Sequence, residues 1–159
     1  MNLKSFLNLY KMLSIENQIR DTYFKAFYDS IDKTVNSKSP DYDWIVRLYL
    51  DIRDRLLRYI KKDSPTYKQI DDQFDSKLFE QMITNDVFDQ ESMVRLVNNT
   101  FDWISKLQAP ARDPSTKEAK QRVFASKPEN IVSTFIKEVN QCLDLMDTDF
   151  ENLFSEKKN

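Results

Sequence analysis

The sequence predicts an all-α fold, a single bundle-like domain of about seven helices. Three observations lead there. Glycine is absent from all 159 residues, which removes the residue that tight hairpin turns lean on. Apolar residues recur three and four positions apart over long stretches instead of alternating. Pro, Asp, Asn and Ser stand between those stretches, where helix caps and breakers belong. Apolar residues make up 40% of the chain and aromatics 13%, enough anchors for one packed core.

Each element has its own signal. Leu3, Phe6, Leu7, Tyr10, Leu13, Ile19, Phe24, Phe27, Ile31 and Val35 form one helical stripe, read as one long helix or two broken near Ser14. The polar run 36–40 ends in Pro40 and reads as a loop, after which Asp41 or Asp43 caps a helix carrying Trp44, Ile45, Leu48, Ile52 and Leu56. Lys61 and Lys62 complement the negative end of that helix. Ser64-Pro65 is an N-cap followed by a first-turn proline, opening a short helix through Tyr67 and Ile70. Asp75 caps the next, with Leu78, Phe79, Met82 and Ile83, and Asn85-Asp86 is a turn.

Asp89 or Gln90 opens a helix with Met93, Leu96, Val97, Phe101, Ile104 and Leu107, and Pro110 stops it. Asp113-Pro114 repeats the cap-then-proline signal ahead of a short helix with Ala119 and Val123. Ser126 and Glu129 read as a capping box around Pro128. The last helix carries Ile131, Val132, Phe135, Val139, Leu143, Met146, Phe150 and Leu153. The expected domain spans 1–155, with 156–159 a polar tail.

Composition narrows the chemistry. There is no His, so the usual general base and metal ligand is missing. Cys142 is the lone cysteine, which rules out an intrachain disulfide and Cys/His zinc sites. The acids Asp71, Asp72 and Asp75 lack calcium-loop spacing. Asp144, Asp147, Asp149 and Glu151 read as a solvated face, and Asp51 and Asp54 with Arg47, Arg53, Arg55 and Arg58 as surface ion pairs. The expectation is therefore no catalytic residue, no metal and no cofactor. A net charge of −2 argues against a nucleic-acid partner. No apolar run is long enough to span a membrane, and the first residues lack a secretory pattern, so a cytoplasmic location is expected.

Several segments together resemble a known family. Leu50-Asp51-Ile52-Arg53-Asp54-Arg55-Leu56-Leu57 is similar to the "E-L-R-D-R-L-L"-like helix of the T-complex protein 11 family. Ile70-Asp71-Asp72-Gln73-Phe74-Asp75 resembles its "I-x-E-x-L-D" segment. Leu107-Gln108-Ala109-Pro110-Ala111-Arg112-Asp113 resembles its hallmark "L-C-A-P-x-R-D", with Gln108 in place of the Cys. Leu143-Asp144-Leu145-Met146 with Asp149, Phe150 and Asn152 resembles "L-D-L-M-K-x-D-M-x-N", with Asp147 in place of the Lys. The resemblance runs over about 48–153. Family members are commonly longer, so the chain looks like a shortened version, and its Asn-, Lys- and Ile-rich usage would suit a viral or protist genome.

The resemblance implies a non-enzymatic regulatory or scaffold protein acting through protein contacts, with cAMP-dependent kinase signalling as its setting. A self-associating structural protein and a carboxylate- and Arg-based enzyme are the alternatives. The residues of interest are Ala109, Pro110, Arg112, Asp113, Arg53, Asp54, Asp144 and Met146. Physically, Pro110 pushes Ala109 out of the helical region. The small Ala109 and Ala111 permit close helix approach, and Asp113 is placed to cap the next helix. Arg112 is then expected to reach carbonyls at the end of the first helix or a carboxylate of a third, with Asp144 and Asp54 the candidate acids, either pinning an interhelical corner or presenting a binding group.

Overall fold

The chain folds, in a computed structural model that describes residues 2–158, as helices joined by short connections. Among the described residues there is no β-strand. Helix α1 spans Leu3–Val35, opened by Asn2, whose side chain accepts from the Ser5 N–H at 2.8 Å. It runs unbroken past Ser14, because Ile15 to Gln18 contain no residue that ends a helix. Helix α2 (Tyr42–Leu57) is capped by Asp41, α3 (Pro65–Gln73) by Ser64 with proline in its first turn, and α4 (Ser76–Thr84) by Asp75. Helix α5 (Gln90–Leu107) is capped by Asp89, whose carboxylate accepts from the Ser92 N–H at 2.9 Å. That bond holds the Asp89 carboxyl below the usual range.

A 3₁₀ turn, Pro110–Arg112, leads into α6 (Asp113–Ala125), and a second, Pro128–Asn130, leads into α7 (Ile131–Lys158). The expected Ser126–Glu129 capping box does not form. Ser126 is already extended and its hydroxyl bonds back to the Val123 carbonyl, so the chain enters α7 through the proline turn instead. The tail expected at 156–159 is helical as far as Lys158, and Asn159 lies outside the described residues.

Without glycine, one turn needs another residue in the left-handed region. Asp86 takes φ 55° just past the end of α4. Its N–H reaches the Ile83 carbonyl and the Val87 N–H reaches Met82, the bond pair that closes a helix end around a left-handed residue. Asp tolerates that conformation better than most side chains.

Helix α7 is the centre of the packing, touching α1, α2, α5 and α6. Its Val139 and Leu143 are inaccessible, as are Leu56 of α2, Val97 and Ile104 of α5, Val123 of α6 and Ile31 of α1. Helices α1 and α7 run antiparallel: Asn36 donates to the Glu129 carbonyl at 2.9 Å, and Ser133 donates to Asp32 at 2.7 Å. Arg122 of α6 grips the buried Glu138 of α7 with two bonds of 3.0 and 2.9 Å. Thr100, inaccessible on α5, satisfies its hydroxyl on the Leu96 carbonyl.

Burial sets the expected mutational pattern. Ile104→Ala and Leu143→Ala, each at 0% exposure, should cost about 2–5 kcal/mol in urea unfolding. Leu13→Ala, at 50% exposure, should change the midpoint little. Equal losses at all three positions would contradict the assignment of α1's first half to the surface.

Candidate functional site

The segment 107–113 forms a corner. Gln108 and Ala109 are both extended, as a residue before proline must be, and α5 stops there. The buried Gln108 side chain fastens the turn. Its amide donates to Asp113 at 2.8 Å, and its carbonyl accepts from the Thr116 hydroxyl at 2.6 Å. Asp113 therefore does not cap α6, as the sequence suggested. It is already the first residue of that helix, and its carboxylate is taken by Gln108.

Arg112 extends from this corner to α7. Its Nε and Nη2 donate to the two oxygens of Asp149 at 3.0 and 2.8 Å, a planar two-bond pair. Neither candidate acid is used. Asp149 lies five residues beyond Asp144, more than one turn further along α7 and on another face, and that is where the corner meets the helix. The pairing lowers the Asp149 carboxyl pKa and raises that of Arg112, the hydrogen bonds being the main cause.

Asp144 faces α2 instead. Arg55, with a side chain only 16% exposed, donates to Asp144 at 2.8 Å, to Asp147 at 2.9 Å and to the Asn140 side chain at 3.1 Å. The Tyr59 hydroxyl also donates to Asp147. Reading these groups as separate solvated pairs missed a clamp that joins α2 to α7 across some 85–92 residues of sequence. The spacing of Asp144 and Asp147 on one helical face was its sequence signal. Arg53 and Asp54 pair with each other at 3.2 Å, and Arg53 also approaches Asp71 at 3.7 Å. Met146 is buried, and Ala109 and Pro110 are exposed on the corner. Asp54 of α2 and Glu138, Asp144, Asp147 and Asp149 of α7 thus each meet a guanidinium. Among the described residues no group of three or more metal-ligating side chains comes together.

A second feature lies outside the expected set. Leu3, Phe6, Leu7, Leu9, Tyr10 and Leu13 of α1 are 43–73% exposed. At 100° per residue they share one arc of roughly 160°, with Lys4, Asn8 and Lys11 opposite. The same arc continues into Phe27, Tyr28 and Ile31, which pack on the core. Sequence periodicity marked the stripe but not that its first half lacks a cover. The last turns of α7 also leave Phe150, Leu153 and Phe154 exposed.

The family model for T-complex protein 11 matches residues 2–154. The chain belongs to the T-complex protein 11 family. The match begins well before Leu48, where the resembling motifs start, so α1 is part of the T-complex protein 11 region and not an addition to it. Both fastened segments, 107–113 and 143–149, fall within it. No solved structure matches the chain. Among the described residues no helix is long and apolar enough to cross a membrane.

The Arg112–Asp149 pair gives a pH-dependent expectation. The Asp149 carboxyl is depressed in the folded chain, so its contribution is present above about pH 4, the unfolded value. It is lost as pH falls through the lower folded value. Arg112→Ala and Asp149→Asn should each lower the urea midpoint at pH 7, the double variant should add little, and the difference from the parent should shrink below pH 4. Arg112→Lys should rescue poorly, lacking the planar fork. Additive losses would show that the two side chains do not act as a pair.

Proposed function

We propose that this chain is a non-enzymatic helical regulatory or scaffold protein that works through protein–protein contacts, with the first half of α1 as its contact surface. One observation carries this reading: six large apolar side chains of one helical arc at the start of α1 stand 43–73% exposed. Contiguous apolar patches of this size mark interaction surfaces on soluble domains. Membership in the T-complex protein 11 family supports a helical protein of non-enzymatic type. The absence of His removes the commonest general base, and Arg55, Arg112, Asp144, Asp147 and Asp149 are engaged with one another. The family resemblance favours cAMP-dependent kinase signalling, in the cytoplasm, as the setting.

The size of the arc supports a second reading, self-association. At about 200 Å² per large side chain, the six expose roughly 700 Å² per copy, near the ~800 Å² per partner of a standard interface.

One variant serves both readings. Phe6→Glu/Leu13→Glu changes exposed positions only, so helicity should be retained. Purified regulatory and catalytic subunits of cAMP-dependent protein kinase are titrated with the parent chain and the double variant. A complex formed by the parent and lost in the variant supports the signalling role. Failure to bind either subunit removes that setting. Light scattering at tens of micromolar then separates the two readings: twice the chain mass, lost in the variant, supports self-association, and a monomer rejects it.

A further inference from the structure

A cavity of about 500 Å³ opens between the end of α1, the 36–41 connection, α2, α4, the start of α5 and the start of α7. Its inner wall is made by Ile52, Phe74, Phe79, Met93, Phe135 and Ile136, all buried core residues. Tyr49 adds an aromatic face, stacked on Phe79 at a centroid distance of 4.1 Å. Burial pushes the Tyr49 hydroxyl up to about 12, as an apolar surrounding does. The cavity volume is within the range of small-molecule sites, and its wall has their composition.

Two physical points say what such a space takes. Water inside it would find few partners on the apolar wall, and a dry void would forfeit the contacts that hold a core together. An apolar guest removes both penalties. The mouth is different in kind. Ser37, Lys38 and Tyr42 supply hydrogen-bond donors on the side of the α1–α2 connection, and Asp86 is the acid on the α4 side. Among the described residues Lys38 has no ion-pair partner. The mouth carries one cation and two hydroxyls on the α1–α2 side and one acid, Asp86, on the α4 side, so an amphiphile with its chain inside is suited to place an anionic group on the Lys38 side, away from Asp86.

We propose that this cavity binds the hydrocarbon chain of a long-chain carboxylate, with the carboxylate at Lys38. The site is separate from the exposed arc of α1, whose residues do not line it. It therefore stands or falls apart from the protein-contact reading.

The test uses the full chain and palmitate as probe, followed by native mass spectrometry and thermal shift. One palmitate per chain should bind and raise the thermal midpoint, since a ligand of the folded state stabilises it. Across saturated carboxylates of eight to sixteen carbons, affinity should rise roughly fourfold per methylene until the cavity is full. Lys38→Glu, an exposed position, should weaken palmitate at least tenfold while leaving hexadecylamine binding undiminished. Ile83→Trp, a half-buried position on the wall, should abolish binding with helicity retained. The Phe6→Glu/Leu13→Glu variant should bind palmitate as the parent does. No stoichiometric binding, absence of chain-length dependence, or tighter binding of the amine than of the carboxylate by the parent would overturn the proposal. So would palmitate binding that survives Ile83→Trp or disappears in the α1 variant, because the chain would then sit elsewhere.

Discussion

Val139 and Leu143 sit on the face of α7 onto which α1, α2, α5 and α6 all pack, and neither is accessible to solvent. Four helices that touch one another unevenly are thereby referred to a single axis. The buried row continues through Phe135 and Ile136 toward one end and Met146 toward the other. Full burial of side chains of this kind contributes about 1.5–3 kcal/mol each, so this row outweighs any single polar contact in the domain. The polar contacts act on what the apolar row leaves free, which is the sliding and rotation of neighbours along α7.

Those contacts are distributed by helical register. Asp144 and Asp147, three residues apart, are taken together by Arg55 of α2. Asp149 turns to another side and is taken by Arg112 of the corner. Glu138, a turn and a half before Asp144, is held by Arg122 of α6. Three guanidiniums from three different segments thus fix two directions around one helix, Glu138 and Asp149 lying eleven residues apart on nearly the same side. The planar fork matters here, because two parallel bonds fix an angle as well as a distance. Solvent reaches most of these groups, so they specify geometry more than they add to net stability.

The caps and breaks of the fold were legible in the sequence because they are local. Asp41, Ser64, Asp75 and Asp89 each accept from an N–H two or three residues ahead, and nothing distant is needed to place them. Pro110 ended α5 for an equally local reason. Expectations that depended on a second element fared differently. Asp144 and Asp54 were the candidate acids for Arg112, but the choice depends on how far α7 runs past the corner, which no spacing within either segment encodes. Asp113 was expected as a cap, but the 3₁₀ turn advances the helix start by one residue and frees its carboxylate for Gln108. Ser14 suggested a break that the flanking residues override. Periodicity marked the apolar arc of α1 from Leu3 to Ile31 without saying where its cover stops.

That boundary has its own physics. Isolated helices shorter than about 12–15 residues are marginal in water, and helices in proteins draw most of their stability from packing an apolar face. In α1 that packing is confined to the turns from Phe27 onward, where Ile31 is fully buried. The preceding turns propagate from this anchored end, and beyond the Asn2 cap they have only their own backbone bonds and side-chain neighbours. Their residues are nonetheless those of a core helix, with leucine and aromatics where a solvated helix would carry charge. A face of that composition, continuous with the buried one and rotated to the same side, is stable as a helix in proportion to what covers it. The apolar face of α1 is therefore covered over its last turns and open to solvent over Leu3 to Leu13.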